Sequence, residues 1–213
     1  MPRLVDHEQR RREIADAGLR VILERGLDGV TVRGIAAITG KSTGSLRHYF
    51  ASQDALREFV VQAATDTLRD RVYPRVARPR RGASLAGRVV SILEEFLPID
   101  ATRREEYAIW SAVVAWERES PTPGSTTWRE QRALYRQCAA ALLGYEPERG
   151  LTEATFREHD DPEVERWAAL LHTFVDGLAA QLVHTPREVT AADARRLLKD
   201  FVTVCRTYVP KDG

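Results

Sequence analysis

An all-α fold is what this sequence predicts, and three observations carry the prediction. Apolar residues recur at intervals of three and four through most of the chain, nowhere does the two-residue alternation of a strand appear, and Gly or Pro punctuation separates the periodic stretches. With 213 residues the chain can bury a substantial core, as one domain or as a small domain joined to a larger one.

The first helix spans Arg10 to Arg25, with Ile14, Ala17, Gly18, Val21 and Ile22 on one face, and Gly26 and Gly29 break it. Thr31 to Phe50 then reads as two short helices joined by a tight turn. Thr31 and Ser42 stand at the N-cap positions, where a side-chain oxygen can accept an otherwise unpaired backbone N–H. Ala36 is small enough for two helices to cross, Gly40 four residues later can take a positive φ at the turn, and Ile35, Ile38 and Leu46 seal the pair. This is the arrangement of a helix-turn-helix, although Ala-x-x-x-Gly alone also describes any helix ended by glycine. Ser52 caps a fourth helix, with Asp54 in its electropositive first turn, that continues through Leu56, Phe59, Val60, Ala63 and Ala64 toward Pro74.

These segments resemble the TetR family of transcriptional regulators. The residues that carry the resemblance are the Ile14/Ala17 helix, Gly26 to Arg33, Ile35-Ala36, Gly40, and the run Ser42-Thr43-Gly44-Ser45-Leu46-Arg47-His48-Tyr49-Phe50, which is most similar to the BetI-like branch. The resemblance implies a three-helix DNA-binding domain at residues 1–51 and a helical ligand-binding and dimerisation domain at 52–213. Two positions depart from the family pattern: Arg47 stands where Tyr is common, and Gln53 where a phosphate-contacting Lys is usual.

The rest of the chain keeps the helical texture. A basic connector, Val76 to Ser84, precedes a helix from Leu85 to Leu97 that Pro98 ends; Thr102 opens the next, running through Trp116 to the break at Pro121 to Gly124. Ser125 begins another, carrying Trp128, Leu134, Tyr135, Cys138 and Leu142, and Gly144 to Asp161 is polar and partly irregular. Two long amphipathic helices close the chain at about 163–183 and 191–209.

Composition constrains the partners. The net charge is only +1, which argues against a polybasic nucleic-acid binder. Residues 1–50 nevertheless hold nine Lys/Arg against six Asp/Glu, while the remainder holds 23 against 25, so the basic excess sits in the head. No apolar run approaches the roughly 20 residues that cross a bilayer, and the N-terminus lacks a signal-peptide core, so no membrane partner and a cytoplasmic location are expected. Cys138 and Cys205 lie within apolar helical patterns and read as buried free thiols, His159-Asp160-Asp161 reads as a solvated loop, and no residue set calls for a metal or cofactor.

The candidate sites follow. Thr31, Lys41 and Tyr49 offer hydroxyl and ammonium groups at helix ends for phosphates of a double-stranded operator; Arg33, Thr43, Ser45, Arg47 and His48 are candidates for reading base edges, and Gly44 allows close approach to the backbone. Tyr107, Trp110, Trp116, Trp128 and Tyr135, with His172 and Asp176 four residues apart on the penultimate helix, are the candidate site for a small-molecule effector, although aromatics at this spacing also serve as plain core. Trp167, Phe174, Leu178, Leu182, Leu198, Phe201 and Cys205 are the candidate dimer seam, because the family pairs its last two helices across a twofold axis; packing within one subunit is the other use such helices have. The expectation is a homodimeric repressor whose effector misplaces two recognition helices that must sit about 34–36 Å apart. A helical enzyme using His172 and Asp176, and a DNA-binding-fold scaffold switched by a partner protein, are the alternatives.

Overall fold

The computed structural model describes residues 3–77, 82, 84–119, 127–146 and 156–208. Among them nine α-helices and two short 3-10 turns follow one another with no strand: α1 Arg3–Arg25, α2 Val32–Thr39, α3 Thr43–Tyr49, α4 Gln53–Ala77, α5 Leu85–Leu93, α6 Ala101–Glu119, α7 Thr127–Leu142, α8 Pro162–His184 and α9 Ala191–Tyr208, with the turns at Leu27–Gly29 and Glu94–Phe96. The all-α expectation holds. No described helix is long and apolar enough to cross a membrane.

The contacts form two compact units, one of residues 1–69 and 108–122, the other of 70–107 and 123–213. The expected boundary after residue 51 differs from this division for a physical reason. Helices as short as α2 and α3 cannot cover their own apolar faces, so Leu56 and Val60 of α4 are buried in the first core, and Ile109, Ala112 and Trp116 of α6 pack on it. That core also holds Ile14, Val21, Val30, Ile35 and Leu46, all fully buried. Where α1 crosses α4, Gly18 is required by contact: a Cβ there would run into both methyls of Val60. Helix α4 itself passes through Pro74 to Ala77, accepting the loss of one N–H in its last turn.

The second unit packs α5, α7, α8 and α9 around Tyr135, Leu93, Leu171, Val175, Leu198 and Val202. Glu95, in the turn that closes α5, is buried, and two guanidinium groups hold it. Arg103 donates to both carboxylate oxygens at 2.9 and 3.0 Å; Arg71 donates to the same carboxylate, to the Glu95 carbonyl at 2.9 Å and to Glu106 at 2.9 Å. His159, Asp160 and Asp161 lie in the non-helical segment before α8, as expected, and Asp161 caps that helix. The Asp161 carboxylate accepts the Glu163 N–H at 2.9 Å and the Tyr145 hydroxyl at 2.8 Å, while His159 Nδ1 accepts the Asp161 N–H. Of the expected connector Val76 to Ser84, the first two residues belong to α4 and Ser84 caps α5, while residues 78–81 and 83, the expected break at Pro121 to Gly124 and the expected helix start at Ser125 lie outside the described residues.

Candidate nucleic-acid interface and effector cluster

In the first unit, local chemistry builds the helix-turn-helix. Thr31 Oγ1 accepts the Gly34 N–H at 2.9 Å to start α2, and Ser42 Oγ accepts the Ser45 N–H at 3.1 Å to start α3. Between them Gly40 sits at φ +65°, the left-handed geometry that glycine adopts without penalty. Gly34 is required for space, since a Cβ there would lie 2.7 Å from the Gly29 carbonyl oxygen. Leu46 and Phe50 anchor α3 in the core. The remaining positions form an exposed row: Thr43, Gly44, Arg47 and His48, joined by Arg33 from α2. Thr31, Ser45 and Tyr49 are half-buried beside it.

The three expected phosphate contacts all have partners within the head, Thr31 as the cap of α2, and Lys41 and Tyr49 through partners on α1. Lys41 Nζ pairs with Glu13 of α1 at 2.8 Å, which offsets its charge and draws the Glu13 carboxyl below the usual carboxylate range. The Gln53 side chain donates to the Val30 carbonyl, so this departure from the family pattern fastens the start of α4 to the turn before α2. The Tyr49 hydroxyl accepts from Arg10 Nη1 at 3.2 Å, and the His7 ring leans on Tyr49 with centroids 5.1 Å apart. Arg10 and His7 were not among the sequence candidates, because nothing local to α1 shows that they face α3.

The second unit gathers part of the expected effector set. The His172 ring lies between Trp128 and Tyr135, with centroids 4.3 and 4.6 Å away, and Phe96 adds a ring 5.7 Å from Tyr135. Asp176 closes one side: its carboxylate is 3.3 Å from His172 Nε2 and accepts from Gln131 Nε2 at 3.4 Å, and Gln131 also donates to the Tyr135 hydroxyl at 3.1 Å. Burial, reinforced by the Asp176 charge, pushes the Tyr135 hydroxyl well above its ordinary pKa, so it stays protonated. Gln131 Oε1 is buried with no hydrogen-bond partner among the described residues. Trp128 and the Asp176 side chain stay open to solvent, at 47% and 33% exposure. Gln131 escaped the sequence reading, although a polar residue one turn before Tyr135 on an apolar helix face is a detectable signal.

Tyr107 packs against the core of this same unit. Trp110 and Trp116 belong with the N-terminal unit, where Trp116 covers the first core. Among the described residues no group of three or more His, Cys, Asp or Glu could hold a metal ion.

On α8 and α9 the seam candidates fall into two sets. Trp167, Leu178, Leu182, Leu198 and Cys205 are buried inside the subunit, which corrects their place: they hold these helices to their own core. Phe174 and Phe201 stack at 4.0 Å and nearly parallel, only partly covered, and beside them Leu170, Leu197, Val204 and Tyr208 are exposed. An apolar surface of this kind on two adjacent helices is characteristic of a subunit contact.

Comparison with known proteins agrees with both units. Residues 14–60 match the model of bacterial regulatory proteins of the tetR family, and residues 85–206 match that of the BetI-type transcriptional repressor C-terminal domain. The chain is 37% identical over 213 residues to the HTH-type transcriptional regulator BetI of Escherichia coli K12, covering 100% of both chains. It is 32% identical over 206 residues to the HTH-type transcriptional regulator PksA of Bacillus subtilis, covering 96% of this chain and 94% of that one. A regulator from Saccharomonospora viridis, solved in complex with choline, shares the fold with a TM-score of 0.68 at 20% identity, over 92% of this chain and 96% of that one.

Proposed function

The chain belongs to the TetR family of DNA-binding transcriptional regulators, with a C-terminal half of the BetI type, and from that premise we propose that it is a homodimeric repressor released from its operator by a small organic cation. The exposed row on α3 carries the reading: Thr43, Gly44, Arg47 and His48 project from a helix whose caps, turn glycine and buried Leu46 fix its pose. Arg47 and Arg33 are the groups suited to guanine edges, and Tyr49 and Thr31 to phosphates. Lys41 contributes less, being paired with Glu13.

The effector reading rests on the cluster of Trp128, Tyr135, His172, Gln131 and Asp176. Ring faces attract a cation and the half-exposed carboxylate neutralises it, and the S. viridis relative that binds choline supports the same class. Dimerisation uses the exposed stripe of Leu170, Phe174, Leu197, Phe201 and Val204. An effector that lowers DNA affinity must itself bind the DNA-bound form less tightly by the same factor, typically about 5–150-fold.

The test is fluorescence anisotropy on a duplex from upstream of the protein's own gene, with choline as first probe. Binding that is tighter than to random DNA, weakens with salt and is reversed by choline supports the whole reading. Tight binding indifferent to choline and to other organic cations would remove the effector assignment and leave the regulator.

A further inference from the structure

Lys41 stands between Gly40, which ends α2, and Ser42, which caps α3, so its backbone is fixed from both sides. Its ammonium lies 2.8 Å from a carboxylate oxygen of Glu13, brought across from α1. The carboxylate is the more open partner, 44% exposed against 26% for the lysine, so a phosphate drawn to Lys41 meets a like charge beside it. Lys41 chiefly, with the Arg10 charge and the Gln9 side chain behind it, draws the Glu13 carboxyl below the usual range, which keeps it ionised at neutral pH. The Lys41–Glu13 pair therefore carries no net charge. A lysine that left it for a phosphate would strand a carboxylate that must recruit a cation from solution, which cancels the counterion the phosphate releases. Exposed ion pairs are also weak, so Glu13 competes with a phosphate without locking the lysine away.

We infer that Glu13, on α1 and outside the helix-turn-helix, restrains the sequence-independent grip of the head by competing with a backbone phosphate for the Lys41 ammonium, on the reading that α3 faces the duplex. A phosphate contact carries no sequence information, so weakening it loosens the hold on random DNA. The head then depends more on the base edges it reads.

The experiment uses the full chain and a random-sequence duplex of about 30 base pairs, with affinity measured from about 0.05 to 0.3 M salt. Glu13→Gln keeps the shape of the side chain and releases the ammonium. It should steepen the plot of log K against log salt by about 0.9 for each head bound, so that its advantage over the wild type grows roughly threefold per head between about 0.3 and 0.1 M salt. Lys41→Met should return that steeper slope to the wild-type value, and should cost less slope in the wild type, where the ammonium is already matched by Glu13. An unchanged slope for Glu13→Gln, with the wild type binding in a salt-dependent way, would overturn the inference and reduce the pair to a tie between α1 and the turn. A steeper slope that survives Lys41→Met would also overturn it, because the charge released would then be that of Arg10. Wild-type protein that shows no salt-dependent binding to any duplex would instead overturn the placement of the DNA surface, and the inference with it.

Discussion

Replacing Glu95 by Gln keeps the shape of the side chain and removes the charge on which Arg71 and Arg103 converge. Glu95 is 5% exposed and its two partners are 19% and 14% exposed, so water cannot readily take over. Removing one member of a buried ion pair typically costs about 3–5 kcal/mol, because the partner charge is left behind. Here the loss is smaller. Arg71 keeps Glu106 and the Glu95 carbonyl, Arg103 keeps Asp100 at 3.6 Å, and glutamine still offers one oxygen. Discounting for these survivors gives about 2–3 kcal/mol, a fall in Tm of about 5–10 °C for a chain of this size. Urea unfolding followed by circular dichroism measures it, and 1 M salt should leave most of the difference intact because buried pairs are poorly screened. If Glu95→Gln stays within about 0.5 kcal/mol of the wild type, the network is not an energetic keystone and the reasoning is wrong.

Further outcomes follow from other parts of the molecule. Val204→Glu and Leu170→Glu alter side chains exposed in the subunit, so sedimentation should report folded monomers; Leu198→Ala, inside the core, should instead cost about 2–5 kcal/mol. Arg33→Ala or Arg47→Ala should weaken operator binding by about 1–3 kcal/mol more than random DNA, and equal losses on both would make these arginines phosphate contacts. Burial pushes the Cys138 thiol up to about 12 and the Cys205 thiol up to about 11, so both should resist alkylation until the chain unfolds. The linkage has a definite sign: the stability from keeping these thiols protonated is complete below their ordinary 9.0 and is lost as pH rises toward 11 and 12, measurable as a falling urea midpoint.

What could be read in advance was what the chain encodes locally. Thr31, Gly40 and Ser42 announce the helix-turn-helix because a cap or a left-handed turn is decided by a few neighbouring residues. The Arg71–Glu95–Arg103 network could not be read, since its members come from α4, a turn and α6 and meet only when the unit is packed. The same limit separates Trp116 from Trp128: helical spacing does not say that one packs on a core while the other stays exposed beside His172. On α9 the apolar residues are adjacent, Leu197 with Leu198 and Val204 with Cys205, so periodicity gave the width of the stripe but not which half turns inward. Arg10 belongs to the same class, a contact made across a gap of 39 residues.

The division of labour on α3 has a consequence for engineering. Leu46 holds the helix and the caps shape its ends, whereas Thr43, Arg47 and His48 are exposed to solvent. Those three positions can therefore be randomised as a library while the scaffold stays folded, and selection against a new promoter should return altered specificity at little cost in expression. A regulator built this way is a cassette: the lettering on its key can be recut without touching the lock mechanism behind it.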